Sequence, residues 1–342
     1  MIDSNRINNP PGVDAIDEAE IAQALGKGRP ITVQFSRALY TDAILEHINR
    51  LCRRFGEQLC VRFYGFYGTS FDAGVVRKIP EVRSLYIDCL DAAHNLEAIH
   101  DLQHLRELSL GVYHLAERDI LAGGNLANLR KLTLGEIRPG GVNLKPLRHY
   151  KSLCDLYISD QSRDIEAIKY LSTLESLSLS SIKKVRLDFI NDLPALKSLH
   201  LILGGRDNID EVDGHRIEDL EIVRVRGFGT FAHLPKWTAL KRLKIEDQAR
   251  LESLAFSEAQ RDLTDLWLFN CKALASLKGL AGLPKLDSIR LSGTSIDIEA
   301  LRRDGLPKSL RRLEIYAGSL KKNQQLRQAI RAMGYETAPD WP

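Results

Sequence analysis

Three groups of residues are of types that could do chemistry. His94, His100 and His104 lie close together, and the last two stand at the i, i+4 spacing with which a helix can hold a metal ion. The spacing fixes no carboxylate or third ligand, so they read as solvated surface histidines. His200 stands amid Ser178, Ser180 and Ser198, the types that make a base and a nucleophile, but no oxyanion donors or pocket come with them. The run Asp207 to Asp213 is acidic enough to suggest calcium, yet Ile209 breaks the alternation of oxygen ligands. There is no Gly-x-Ser-x-Gly elbow, no phosphate-binding glycine loop and no cysteine pair. The chain therefore reads as non-enzymatic, with no cofactor and no metal.

A different chemistry, recognition by burial, is suggested near the carboxy terminus. Trp267, Phe269 and Tyr316 are flanked by Lys244, Arg290, Arg242 and Arg312. Aromatic side chains with arginine dominate binding hot spots, since they bury much area while losing few rotamers. Tyr86 with Tyr157 forms a second candidate cluster, and His200 faces the same way. The alternative for Trp267 is burial against its neighbours with no binding role.

Whether these residues share a surface depends on the elements that carry them. The skeleton of Leu263 to Leu268 is apolar, two free positions, apolar, one free position, apolar. It returns with its fourth position at Leu85, Leu108, Leu132, Leu156, Leu177, Leu199, Leu220, Leu243, Leu266, Ile289 and Leu313, in steps of 21 to 24 residues. Every skeleton position in these eleven copies is apolar in a chain that is 44% hydrophobic, so the pattern is a true repeat. The fourth and sixth positions share one side of a strand and the residue between them faces the other. Few residues remain before the next strand, so the strands must run parallel and the return must be short. The free positions then form rows: Tyr86, Tyr157, His200, Lys244, Trp267 and Arg290 in one, Phe269 and Tyr316 in another. The aromatic and basic set is expected to converge on adjacent strands.

The copies Leu153-Cys-Asp-Leu-Tyr-Ile158 and Leu263 to Leu268, with Leu274, Leu277, Leu280 and Leu283 following the second, resemble leucine-rich repeats of the short subclass found in internalin-like and phosphatase-regulating proteins. The resemblance covers roughly residues 82 to 318. It implies an α/β solenoid, a horseshoe with a curved parallel sheet on the concave face and short helical or 3₁₀ returns on the convex face. One departure is evident. The family places Asn or Cys three residues after the last skeleton leucine, to satisfy backbone groups in the bend, and here only Cys271 matches. Those groups must be satisfied in another way.

The ends read as caps. Residues 1 to 30 are a mobile lead-in followed by a short acidic helix over Asp14 to Leu25. Residues 31 to 81 form a strand, a helix capped by Thr41 and stopped by Gly56, and a strand Leu59 to Tyr64; this unit resembles ribonuclease-inhibitor-type repeats. Residues 82 to 318 carry the eleven repeats, with a projecting loop expected at Gly204 to Gly214. Residues 319 to 342 hold a capping helix from Asn323 to Met333, with Leu326 and Ile330 inward, and a loose tail in which Trp341 folds back. A repeat array grows in one dimension, so the whole reads as one domain.

Composition narrows the function. The net charge of +3 does not predict nucleic-acid binding, although residues 301 to 342 are locally basic, with nine Lys or Arg against four Asp or Glu. Lys183 and Lys184 read as solvated charge. Five dispersed cysteines without a Cys-x-x-Cys pair suggest reduced thiols, and the first thirty residues lack the pattern of a secretory signal, so a cytoplasmic setting is expected. No run of 18 apolar residues is present to span a membrane. The expected function is a monomeric scaffold that binds a partner protein on its concave face, as a bacterial inhibitor or immunity-type protein. Two alternatives are a regulatory or targeting subunit of an enzyme, and a nucleic-acid binder working through the basic carboxy-terminal end.

Overall fold

The computed structural model of the chain describes residues 5–135, 137–138, 140–182 and 185–337, with Cys89 and Asp304 described through their backbone. Lys183, Lys184 and Trp341 lie outside the described residues. The chain divides into two compact units, Met1–Leu174 and Glu175–Pro342.

The first unit is built on a parallel sheet of β1 (Arg6–Asn8), β2 (Ile31–Ser36), β3 (Leu59–Tyr64), β5 (Ser84–His94), β6 (Glu107–His114), β7 (Lys131–Leu134) and β8 (Asp155–Ser159), hydrogen-bonded in that order. A short strand, β4 (Ser70–Asp72), pairs with the far end of β5. Helix α1 (Glu18–Gly26) starts at Asp17, whose carboxylate accepts the N–H groups of Ala19 and Glu20. Helix α2 (Asp42–Phe55) starts at Thr41, whose hydroxyl accepts Ile44 N–H, and buries Ile44, Leu45, Ile48 and Leu51. Val33 and Val61 stand in register between β2 and β3. The expected lead-in is overturned for Arg6–Asn8, which pairs with β2 from Arg6↔Thr32 to Asn8↔Gln34. The asparagines are the reason: Asn8 Oδ1 accepts from Gln34, Asn9 Nδ2 donates to Ser36 Oγ, and Asn9 Oδ1 accepts Ser36 N–H.

The second unit repeats the design with β9 (Ser176–Ser180), β10 (Ser198–Ile202), β11 (Asp219–Val223), β12 (Arg242–Glu246), β14 (Asp265–Phe269), β16 (Ser288–Ser292) and β17 (Arg312–Tyr316). On the return side, β13 (Ser253–Ala255) and β15 (Ser276–Lys278) pair with each other. Two helices, α3 (Ile298–Asp304) and α4 (Leu320–Ala332), complete the unit. Across both units the eleven marker residues, Leu85 to Leu313, are fully buried. Within each unit they pair marker to marker, as in Leu243↔Leu266 and Leu266↔Ile289. The returns are short 3₁₀ turns such as Ile165–Tyr170 and Asp188–Asp192.

The bend after each strand solves the backbone problem without the family's asparagine. Ser181, Leu203, Arg224, Asp247 and Asn270 all take the left-handed conformation, with φ between 50° and 59°. In that geometry each N–H points along the array and donates to the carbonyl that ends the next strand: Ser181 to Ile202, Leu203 to Val223, Arg224 to Glu246, Asp247 to Phe269 and Asn270 to Ser292, at 2.7 to 2.9 Å. At the family's own position, Gln248 donates to Glu246 O at 2.8 Å, Cys271 Sγ lies 3.3 Å from Phe269 O, and Gln161 accepts Val142 N–H.

Two further expectations are corrected. The segment 204–214 does not project, because Ile209 and Val212, one 3₁₀ turn apart, are buried and pull it down, while Arg206 bonds Glu211 and Val185 O. The carboxy-terminal helix begins earlier, at Leu320, and turns Asn323 and Ile330 inward, leaving Leu326 half-exposed. Asn323 is buried because its Oδ1 accepts Ala317 N–H, closing the chain just before the helix.

Candidate partner-binding surface

Side chains alternate along a strand, so the residues between the marker and the last skeleton leucine stand in one row on the open face. In the first unit the register runs Gln34↔Arg62↔Tyr86↔Ser109↔Thr133↔Tyr157. In the second it runs Ser178↔His200↔Glu221↔Lys244↔Trp267↔Arg290↔Glu314. The next row holds Glu246↔Phe269↔Ser292↔Tyr316, and the one before it Asp219↔Arg242↔Asp265 and Ser288↔Arg312.

The structure brings Lys244, Trp267 and Arg290 onto neighbouring strands with Arg242 beside them. The guanidinium of Arg290 lies 5.0 Å from the Trp267 ring centroid and that of Arg242 lies 6.0 Å away. Tyr316 does not join the cluster directly. It is two strands from Phe269, with Ser292 between, because Phe269 is on β14 and Tyr316 on β17. The adjacent placement expected of the aromatics is therefore corrected for Tyr316, while all three share one face.

What the spacing did not reveal is that the cations come with acids. Lys244 Nζ lies 2.6 Å from Glu221 and 3.0 Å from Glu246, Arg242 is paired with Asp219, and Arg290 Nε lies 3.3 Å from Glu314. Burial works against the Lys244 ammonium, but its two carboxylate partners more than offset this and its pKa is raised; hydrogen bonding to Asp219 raises that of Arg242. The face is thus a set of prepaid ion pairs around a half-buried indole and not a bare positive patch. Trp267 Nε1 is buried without an acceptor among the described residues. Of the basic carboxy-terminal residues, Arg302 pairs with Glu299 and Arg311 with Asp287.

The other predicted groups separate. Tyr86 and Tyr157 are three strands apart, with Ser109 and Thr133 between. Tyr86 donates to Glu107 at 2.7 Å, and burial followed by that bond raises its pKa strongly. His200 sits between Ser178 Oγ at 3.1 Å and Ser198 Oγ at 3.0 Å, one on each ring nitrogen. Among the described residues both ring nitrogens are taken by serine hydroxyls, and no carboxylate is hydrogen-bonded to this imidazole. The reading of His100 as a solvated surface residue is overturned: its Nε2 donates to Ile120 O at 2.8 Å and its ring packs over Gly123, where a Cβ would stand 2.2 Å from the ring. His94 lies beside Ser70 and Asp72, and His104 lies 3.9 Å from Glu81, so the three imidazoles serve different neighbours. Among the described residues no three His, Cys, Asp or Glu side chains gather as a metal ion would need. No helix among them is long and apolar enough to cross a membrane.

Parallel strands one repeat apart, buried marker leucines and 3₁₀ returns define the leucine-rich repeat fold. Solved structures agree on the fold. An internalin of Listeria monocytogenes is 17% identical, with a TM-score of 0.54 over 84% of this chain and 78% of its own. A chain of the mouse RP105/MD-1 complex is 16% identical, with a TM-score of 0.55 over 90% of this chain and 54% of its own. No protein-family model and no curated protein matches the chain.

Proposed function

We propose that this protein is a non-enzymatic scaffold that binds another protein on the open sheet face of its second unit, and that it acts as an inhibitor or immunity-type protein by covering its target. The observation that supports this reading is the half-buried indole of Trp267 with a guanidinium at each side, each held by a carboxylate on the strand beyond. Such side chains are ordered before binding, so little entropy is lost when a partner covers them. That the mouse neighbour in fold was solved as a complex supports protein binding as the activity. The four free cysteines described in the structure support a reducing, cytoplasmic setting.

The test is capture of the partner from the source cell extract followed by calorimetry. Trp267→Ala combined with Arg290→Glu is expected to weaken binding by at least about 2 kcal/mol, as hot-spot truncation does. Unchanged affinity in a variant that still melts cooperatively overturns the reading. An activity assay on the captured complex separates an inhibitor, which silences the partner, from a targeting subunit, which leaves it active.

A further inference from the structure

The first unit carries a recess of its own. Gly111, on β6, and Gly135, just past β7, lie side by side where two backbones come close. A Cβ on Gly135 would stand 3.2 Å from Gly111 Cα and 3.5 Å from Leu110 O. Since neither glycine raises a side chain, the face sinks there into an open groove of about 430 Å³, walled by Tyr67 and Tyr113 and lined by Asp88, Asp91, Ser109 and Thr133. The two tyrosines are 70% and 39% exposed, a large aromatic surface left in water.

The polar groups of this groove ask for donors. Ser109 is only 6% exposed and lines the groove, yet its hydroxyl has no hydrogen-bond partner among the described residues, and neither has that of Thr133. Both hydroxyls open onto the groove, so a ligand that covered them without offering a hydrogen bond would strip them of water at a cost. Asp91 is exposed and uses Oδ2 to accept Gly68 N–H at 2.9 Å, which leaves the other oxygen available. Asp88 is paired with Arg62 at 2.7 Å, and Arg138, 5.7 Å from the Tyr113 ring, is paired with Asp160. The cations at the rim are thus neutralised, while the carboxylate of Asp91 has no cation within salt-bridge distance among the described residues.

We infer that this groove takes the side chain of a lysine or arginine projecting from a partner protein. The aliphatic stem lies between the faces of Tyr67 and Tyr113, and the cationic head donates to Ser109 Oγ, Thr133 Oγ1 and the Asp91 carboxylate. An acidic ligand would face the Asp91 carboxylate, and a purely apolar one would leave Ser109 and Thr133 unsatisfied. Charge and donor count together select a basic side chain.

The inference does not rest on the Trp267 surface or on knowing the natural partner, so its failure leaves that reading intact. The probes are the short peptide acetyl-Ala-Lys-Ala-amide, its arginine counterpart, and the lysine peptide with its ammonium acetylated, titrated into the full chain while the Gly111 and Gly135 amide signals are followed by NMR. A saturable shift at both glycines is expected with a basic peptide, weakened about tenfold or more on acetylation, as loss of a charge-assisted hydrogen bond entails. Thr133→Val and Asp91→Asn, which preserve shape, are each expected to weaken binding about threefold or more, and Gly135→Val to abolish it. No saturable shift at Gly111 and Gly135, equal binding of the acetylated peptide, or undiminished binding by both Thr133→Val and Asp91→Asn overturns the proposal. Those two variants decide the matter if Gly135→Val fails to fold.

Discussion

Arg290 lies over the Trp267 ring, 5.0 Å from its centroid, and Glu314 on the next strand, itself 9% exposed, holds the guanidinium in place. Indole, cation and carboxylate therefore form one line across β14, β16 and β17, and the carboxylate governs where the cation sits. Glu314→Ala leaves Arg290 in a half-buried place without this partner and is expected to cost about 1–3 kcal/mol of stability, below the figure for a fully buried pair. Denaturant midpoints check the loss, and a shift in tryptophan emission checks that the ring environment changes with it.

Within each unit the marker leucines form a stack, so removing one opens a cavity against both neighbours. Leu266→Ala, between Leu243 and Ile289, is expected to destabilise by about 2–5 kcal/mol. Lys272→Ala, on the exposed bend, should stay within about 0.5 kcal/mol. Comparable losses in the two variants would show that the stack does not carry the fold.

Gly214 is present because Trp237 lies against it. A Cβ there would stand 1.9 Å from the indole, whereas one on Gly124 would meet nothing within 4 Å. Gly214→Ala is expected to lower the melting temperature by several degrees through overpacking, costing about 1–3 kcal/mol or more. Gly124→Ala should leave it nearly unchanged. Differential scanning calorimetry of the two decides the point.

Acid should weaken the bend ladder. The Asp247 carboxyl is held below its ordinary pKa of 3.8 by the Asn270 side chain that donates to it, and then by Arg224. A pKa lowered in the folded state contributes stability that is present above the ordinary value and disappears as the pH falls through the lowered one. Asp247→Asn keeps the left-handed bend but cannot titrate. Between pH 5 and pH 2, its urea midpoint is expected to fall less steeply than that of the unaltered chain; parallel curves would remove Asp247 as a contributor.

Burial pushes the thiols of Cys52 and Cys60 up to about 12 and that of Cys271 up to about 11, while Cys154 is half-exposed. At pH 8 an alkylating reagent is expected to modify Cys154 well before these three in the native protein, and all of them once it is unfolded. Mass spectrometry of the timed reaction reads the order. Early modification of Cys60 would contradict its place in the core.

The amino-acid sequence by itself determined the repeat, the parallel order, the marker core and the rows to which Trp267, Lys244, Arg290 and Phe269 belong. These follow from two short periods, the alternation along a strand and the return every 21 to 24 residues, and both are local properties of the chain. The Thr41 cap was legible because a hydroxyl residue stands just before an apolar helical face. The tertiary structure alone decided which charges meet. Asp219 with Arg242 and Glu221 with Lys244 are 23 residues apart, and whether side chains one repeat apart pair or diverge depends on rotamers selected by their packed neighbours. It also decided that the bends close through left-handed residues and carbonyls of the next strand, that Asn323 and not Leu326 turns inward, and that Gly111 and Gly135 meet to sink a groove between two tyrosines. Position along a strand is periodic, but depth and charge balance on its face arise where several strands come together, and no single stretch of chain contains that information.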